Sequence, residues 1–194
     1  MKVVLASGNA GKVREFAALL AARGLTVLPQ TAFGISPPEE TGASFLDNAL
    51  IKARHAAERS GLPAIADDSG IEVDALGGRP GVRSARYAGE NAGDAENIAR
   101  LLQEMTGVPE AARTARFRCV LVFVRDGADP APLVAEGLWE GHVLTSPRGA
   151  GGFGYDPVFQ PDGFPGSAAE MSAADKNRAS HRAQALRALM AALP

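Results

Sequence analysis

The chain has 194 residues, 46% hydrophobic and 22% charged, a composition typical of one folded domain with its own core. A formal net charge of −2 excludes a general attraction to DNA or RNA but leaves room for a local basic pocket that binds a small anion. The single cysteine, Cys119, excludes an internal disulfide and predicts a packed thiol in a reducing compartment. No apolar run is long enough for a signal peptide or membrane helix, so we expect a cytoplasmic protein.

Apolar periodicity and turn residues divide the chain into alternating strands and helices. In chain order we predict a strand at 3–6, a helix from Gly11 or Lys12 to Ala22, a strand at 25–28, a helix capped near Ser44 and ending at about Arg59, strands at 63–66 and 71–76, a helix at 94–105, strands at 116–125 and 133–144, and a helix from about Ser172 to Leu193. The last two strands form a hairpin pair. The sequence therefore predicts an α/β protein with a mixed sheet, as a single domain over residues 1–194.

The loop after the first strand, Ser7-Gly8-Asn9-Ala10-Gly11-Lys12, is a candidate anion site. Its glycines let backbone amides approach an anion, the following helix adds a partial positive charge, and Lys12 adds a full one. The loop differs from the P-loop in its glycine spacing and in having Val13 after the lysine. The alternative is a strand-to-helix turn with a surface lysine.

Lysine is scarce in this chain, which has four lysines against sixteen arginines. Three of the four, Lys12, Lys52 and Lys176, lie within candidate motifs. A lysine in so arginine-rich a chain indicates a site that needs a compact ammonium group.

Two acidic pairs, Glu39-Glu40 and Asp67-Asp68, are candidate magnesium ligands. Magnesium binds carboxylate oxygens, usually one or two from protein, with water and phosphate as the other ligands. The second pair follows a predicted buried strand, where ligands of open α/β sheets bind. The alternative is that Asp67 or Asp68 forms a turn before Ser69-Gly70.

Asn48 and Lys52 lie four residues apart on one face of a predicted helix, beside Asp47. If this helix lines a site, Lys52 can bind a phosphate oxygen or orient a carboxylate. A solvated helix face explains the spacing equally well.

The segment 151–157 places aromatic residues among glycines. This arrangement suits a flat ring approaching bare backbone, with Asp156 as a hydrogen-bond acceptor. The alternative is a tight turn with core aromatics.

Near the C-terminus, Lys176 and Ser180-His181-Arg182 bring several hydrogen-bond donors together. A solvated N-terminal region of the last helix is the alternative.

Together these segments resemble the non-canonical purine NTP pyrophosphatase family, the inosine/xanthosine triphosphate pyrophosphatases also called Ham1-like or RdgB-like. The resemblance runs in register through residues 7–12, 39–42, 45–52, 66–70, 80–81, 84–87, 152–157, 176 and 180–182. It implies an elongated mixed β-sheet flanked by helices, with two lobes around a central substrate cleft.

The resemblance also implies a role for individual residues. The triphosphate is expected to bind to Ser7, Gly8, Asn9, Ala10, Gly11 and Lys12, with Ser69 also touching the substrate. Glu39 and Asp68 are expected to hold Mg²⁺, and Asp68 to accept the proton of the attacking water; the choice of Glu39 over Glu40 follows the family pattern alone. The base pocket is expected to consist of Phe153, Gly154, Tyr155, Asp156, Lys176, His181 and Arg182.

The implied reaction is hydrolysis of ITP, dITP and XTP to the monophosphate and pyrophosphate, which removes them from the nucleotide pool. The resemblance implies that a magnesium-activated water attacks the α-phosphate and that the enzyme is a homodimer, which we expect in the cytoplasm. Lys176 and Arg182 can only donate hydrogen bonds, so a base with a 6-oxo acceptor satisfies them and adenine does not.

Two other functions compete with this one. A Maf-like nucleotide pyrophosphatase has motifs unlike the Ser7 loop and the segment 180–182. A non-catalytic nucleotide-binding regulator has no need of Asp68, Glu39 and Lys12, because a protein that only binds activates no water. We expect neither nucleic acid nor membrane as a partner.

Overall fold

The computed structural model describes residues 2–21 and 24–193 of the chain. Its strands are β1 (Lys2–Leu5), β2 (Thr26–Pro29), β3 (Ala64–Val73), β4 (Thr114–Val124), β5 (Leu133–Val143) and β6 (Phe159–Pro161). Its α-helices are α1 (Ala10–Ala21), α2 (Phe45–Ser60), α3 (Asp94–Glu104), α4 (Ala173–Ala179) and α5 (His181–Ala192). Short 3-10 turns connect several of these elements.

The six strands form one sheet in the order β2-β1-β3-β4-β5-β6. Strand β1 pairs in parallel with both β2 and β3, whereas β6 runs antiparallel to β5. The predicted α/β fold with a mixed sheet is therefore confirmed. None of the described helices is both long and apolar enough to cross a membrane.

The chain forms two compact units, the first comprising residues 1–68, 119–137 and 182–194, and the second 69–118 and 138–181. Each unit has its own apolar core. The core of the first unit includes Phe16, Leu20, Ile65, Cys119, Leu121 and Leu189. The core of the second unit includes Ile71, Leu101, Phe117, Trp139, Tyr155 and Phe159. Because Cys119 is fully buried, the predicted packed thiol is confirmed.

Helix α2 begins and ends where its cap residues predict. The Ser44 side chain accepts a hydrogen bond from the Asp47 amide, the Asp47 carboxylate accepts one from the Ser44 amide, and Gly61 ends the helix in the left-handed conformation. Helix α3 also lies within one residue of its predicted range. In both helices the apolar periodicity of the sequence was sufficient to predict the bounds closely, and in α2 the Ser44 cap marked the start.

Helix α1 begins at Ala10, earlier than predicted. The Asn9 side-chain oxygen accepts hydrogen bonds from the amides of Gly11, at 2.8 Å, and Lys12, at 3.1 Å. Asn9 therefore acts as the N-cap. The predicted end at Ala22 lies outside the described residues.

The turn that separated two predicted strands at 67–70 is wrong, because β3 continues unbroken from Ala64 to Val73. Gly70 serves close packing rather than a turn. A Cβ placed on it would lie 2.4 Å from both the Gly81 carbonyl oxygen and the Ser84 hydroxyl oxygen. The strand also ends before its predicted limit, since Asp74–Leu76 form a 3-10 turn.

The single predicted C-terminal helix is also wrong, because it is two helices. Ser180 separates α4 from α5 with an extended backbone, at φ −61° and ψ 156°. Its amide still donates to the Lys176 carbonyl oxygen, at 2.9 Å. The break lies immediately before His181 and Arg182.

Candidate active site

Asp67 and Asp68 are consecutive residues of β3, so their side chains project from opposite faces of the strand. Asp67 is 1% exposed. Its Oδ2 atom lies 2.7 Å from Lys12 Nζ and 3.6 Å from Arg182 Nε. Burial acts to raise the pKa of Asp67, but the charges of Lys12 and Arg182 outweigh it and hold the pKa well below its usual range.

Asp68 faces a second lysine. Lys52 Nζ donates to Asp68 Oδ1 at 2.8 Å and to Glu40 Oε1 at 3.0 Å. Asn48 Nδ2 donates to the other carboxylate oxygen of Asp68, at 3.3 Å. Lys52 thus joins two carboxylates that are far apart in the sequence.

The Asn48–Lys52 face of α2 is buried, so the solvated-face alternative is wrong. Asn48 is 0% exposed and Lys52 is 8% exposed. Burial acts to lower the pKa of Lys52, but the carboxylates of Asp68, Asp67 and Glu40 outweigh it and raise the pKa. The lysine therefore remains a cation inside the protein.

Burial raises the pKa of Asp68 above its ordinary value, against the opposing charge of Lys52. A carboxylate with a raised pKa is a stronger proton acceptor than an exposed aspartate. Asp68 is therefore chemically suited to take a proton from water.

The two glutamates of the first acidic pair differ in environment. Glu39 is exposed, whereas Glu40 is half-buried and contacts Lys52. The described residues contain no cluster of three or more His, Cys, Asp or Glu side chains suited to a metal ion. Two carboxylates near one point do fit magnesium, which takes its remaining ligands from phosphate and water. The donor set is compatible with this metal.

The Ser7–Lys12 loop joins the end of β1 to the capped start of α1. The Ser7 hydroxyl oxygen accepts a hydrogen bond from the Asn9 amide, at 3.1 Å. The Cα of Gly8 faces open space, since a Cβ built there would meet no atom within 4 Å. An anion can therefore approach the backbone closely at the positive end of a twelve-residue helix.

In the second unit, Asp156 organises the segment predicted to bind a ring. Its Oδ2 atom accepts from the Phe153 amide at 2.9 Å and from Lys176 Nζ at 2.5 Å. Lys176 Nζ also lies 4.6 Å from the centroid of the Phe153 ring, a cation–π distance. Gly152, with φ +74°, leaves room for this carboxylate.

Tyr155 and Gly154 are fixed from outside their own segment. The buried Tyr155 ring is part of the second core, as the core-aromatic alternative expected, and its hydroxyl donates to the Ser84 carbonyl oxygen at 2.8 Å. The Gly154 amide donates to Asp94 Oδ2 at 2.6 Å.

The solvated alternative for the C-terminal donors is wrong, because Lys176, His181 and Arg182 are all buried. The His181 ring stacks on Phe117 with 4.8 Å between centroids and 11° between planes. Arg182, expected in the base pocket, lies beside Asp67 in the first unit. Ser69 follows Asp68 in β3 and is half-buried.

The sequence motifs did not indicate two contacts of the candidate site, that of Asp67 with Lys12 and that of Asp94 with the Gly154 amide. A signal for Asp67 was present, because two adjacent aspartates in an apolar run must face opposite sides of a strand. No local signal marks Asp94, whose partner lies sixty residues away.

Comparison with known proteins covers the whole chain. A model of the Ham1 family matches residues 3–192. The dITP/XTP pyrophosphatase of Methylococcus capsulatus is 62% identical over 192 residues, which cover 99% of this chain and 96% of the relative. The dITP/XTP pyrophosphatase of Escherichia coli O157:H7 is 54% identical over 99% of this chain and 98% of the relative.

Solved structures agree with the sequence comparison. A HAM1 protein from Coxiella burnetii is 46% identical, with a TM-score of 0.92, covering 99% of this chain and 98% of its own. A nucleoside-triphosphatase / dITP/XTP pyrophosphatase from Mycobacterium abscessus is 41% identical, with a TM-score of 0.78. The match covers 100% of this chain and 98% of the solved chain.

Proposed function

This chain belongs to the Ham1 family, and from that premise we propose that it hydrolyses non-canonical purine nucleoside triphosphates to the monophosphate and pyrophosphate. The proposed substrates are ITP, dITP and XTP. The match over residues 3–192 also supports one ITPase-like domain over the chain.

One observation carries the proposal. Two adjacent carboxylates of β3 each pair with a different lysine, Asp67 with Lys12 at 2.7 Å and Asp68 with Lys52 at 2.8 Å. Phosphoryl transfer needs positioning and charge neutralisation more than covalent chemistry. Two fixed ammonium groups and a proton acceptor meet that need.

In the proposed reaction the Ser7–Lys12 loop binds the phosphates through backbone amides and the Lys12 ammonium group. Asp67 orients Lys12 through their ion pair. Asp68 accepts the proton of the attacking water, while Lys52 and Asn48 fix its carboxylate in position. Ser69, the next residue, contacts the substrate.

We propose that a magnesium ion is held by Asp68 and a glutamate of the pair 39–40. The contact of Glu40 with Lys52 supports Glu40 over Glu39, the residue expected from the family pattern. Such an ion supplies positive charge to the phosphates and lowers the pKa of water.

The base is proposed to bind in the second unit, against the segment Phe153–Asp156. The Phe153 ring offers a stacking surface, and Lys176, held by Asp156, donates to a 6-oxo group. The amino group of adenine meets a donor there instead of an acceptor, and a site built on such hydrogen bonds rejects the wrong base strongly. His181, which is buried in the same unit, is also a proposed base-site residue. Arg182, expected there from the family resemblance, belongs to the first unit, where it lies beside Asp67.

Pyrophosphate release from ITP, XTP, GTP and ATP, with magnesium or with EDTA, tests the proposal. We expect magnesium-dependent release from ITP and XTP, little from GTP and ATP, and a loss of roughly 100-fold or more in Asp68→Asn. Binding of ITP without release would instead identify a non-catalytic regulator. Release from modified pyrimidine triphosphates alone would identify a Maf-like activity.

We further propose a cytoplasmic homodimer, as the family resemblance implies. Light scattering coupled to gel filtration measures the mass directly, and a mass near 20.1 kDa, that of one chain, would contradict the dimer.

A further inference from the structure

The glycine-rich loop at residues 149–154, which carries Phe153 of the proposed base site, is bound to helix α3 by one carboxylate. Asp94, in the first turn of α3, accepts a hydrogen bond from the Gly154 amide at 2.6 Å. Both residues belong to the second unit. This contact joins the loop to an element that carries none of the proposed base-site residues.

The loop needs an external tie because its own backbone is permissive. Gly149, Gly152 and Gly154 all have positive φ, at +77°, +74° and +60°. Glycine restricts the backbone least of all residues, so ordering such a loop around a ligand costs conformational entropy. A bond that orders the loop beforehand reduces this cost and favours binding.

Asp94 is carried on a well-anchored element. In the same helix, Asn97 is buried, accepts from the Ala88 amide at 2.8 Å and donates to the Ala85 carbonyl oxygen at 3.1 Å. One residue further, Ile98 packs in the core that also holds Tyr155. The position of the Asp94 carboxylate is therefore set by tertiary packing.

Two carboxylates from different elements bind neighbouring amides of the loop. Asp156 binds the Phe153 amide and Lys176 from within the site, and Asp94 binds the Gly154 amide from outside it. The Gly154 amide belongs to the peptide group that joins Phe153 to Gly154, so the bond to Asp94 orients this group. Its orientation sets the position of the Phe153 ring, on which Lys176 lies.

We propose that Asp94 is a positioning residue for base selection, acting through the Gly154 amide on Phe153 and Lys176. This inference rests on the proposed function. Without Asp94 the loop samples more conformations, so the ring and the ammonium group are less often placed together for a 6-oxo base.

The test compares Asp94→Ala with Glu96→Ala, using kcat and KM for ITP and ATP. Glu96 lies in the same first turn of α3, and its carboxylate accepts from the Gly93 amide at 2.7 Å. Both variants remove one carboxylate from the same helix end, so both weaken the favourable interaction with the helix dipole. Glu96→Ala also removes the capping bond to the Gly93 amide. Only Asp94→Ala releases the loop.

For Asp94→Ala we expect KM for ITP to rise roughly tenfold, the range set by loss of one charge-assisted hydrogen bond. We expect kcat to stay within about twofold. The ITP-to-ATP ratio of kcat/KM should fall, because adenine offers Lys176 no acceptor at position 6 and ATP therefore loses less when Lys176 is misplaced. Asp94→Asn retains an acceptor oxygen and should recover most of the loss in KM. Glu96→Ala should lower the melting temperature while leaving KM and the ratio unchanged.

Two results would overturn the inference while the wild-type enzyme hydrolyses ITP. One is an unchanged KM and ratio in Asp94→Ala. The other is an equal change in Glu96→Ala, which would attribute the effect of both variants to the stability of the start of α3. If the wild-type protein releases no pyrophosphate from ITP, the proposed function fails and this inference fails with it.

Discussion

Lys12 Nζ lies 2.7 Å from Asp67 Oδ2, which makes a lysine proposed to bind phosphate the partner of an almost completely buried carboxylate. The neighbouring Asp68 projects to the other face of β3 and pairs with Lys52. One aspartate therefore has a mainly structural task and the other a chemical one.

Asp67→Asn should lower the free energy of unfolding by about 3 kcal/mol, because it leaves buried Arg182 and the partly buried Lys12 facing a neutral group. Asp68→Asn should cost less stability, since Lys52 keeps Glu40 as a partner. Urea denaturation of both variants measures the difference. Equal losses would contradict the assignment of separate tasks.

Glu40→Gln should raise the magnesium concentration needed for half-maximal pyrophosphate release by roughly tenfold or more, because it removes a carboxylate near Asp68. Glu39→Gln is the matched control, and should resemble the wild type because Glu39 is exposed. Pyrophosphate release measured against magnesium concentration in both variants shows which glutamate binds the metal. The reverse order of effects would favour Glu39, the ligand expected from the family pattern.

Gly152→Ala should raise KM for ITP and cost roughly 1–3 kcal/mol of stability. The added Cβ would lie 2.1 Å from Asp156 Oδ2, so the carboxylate must leave Phe153 and Lys176. Gly163→Ala introduces similar backbone strain, at φ +79°, but its Cβ would meet no atom within 4 Å. Steady-state kinetics should show a normal KM for Gly163→Ala, and a raised KM there would refute the explanation.

Cys119 should not react with a thiol reagent such as DTNB in the native protein at pH 8. Burial raises the pKa of its thiol to about 12, so the reactive thiolate is scarce at that pH and the sulfur is inaccessible. In denaturant one thiol per chain should react. Rapid labelling of the folded protein would show that this part of the core opens readily.

Local patterns sufficed for features that depend on neighbouring residues. The cap at Ser44 and the apolar spacing of α2 and α3 act within a few residues, so the sequence predicted these helices well. The same holds for the family resemblance, because its motifs are short runs that keep their order along the chain.

Local patterns failed where burial or close packing decided the structure. Gly70 suggested a turn, yet it lies inside a strand, and the close approach of Gly81 and Ser84 there leaves no space for a side chain. Lys52 fitted a solvated helix face, yet it is buried because Asp68 and Glu40 supply charges from elsewhere in the chain.

The spacing of nearby residues was enough to predict the α/β class, the capped helices and the order of the family motifs. The pairing of Asp67 with Lys12, the link from Asp68 through Lys52 to Glu40, and the bond from Gly154 to Asp94 became visible in the folded chain alone. Those contacts link residues from 12 to 60 positions apart, and the pairing of a charge over such separations depends on which backbone segments pack together.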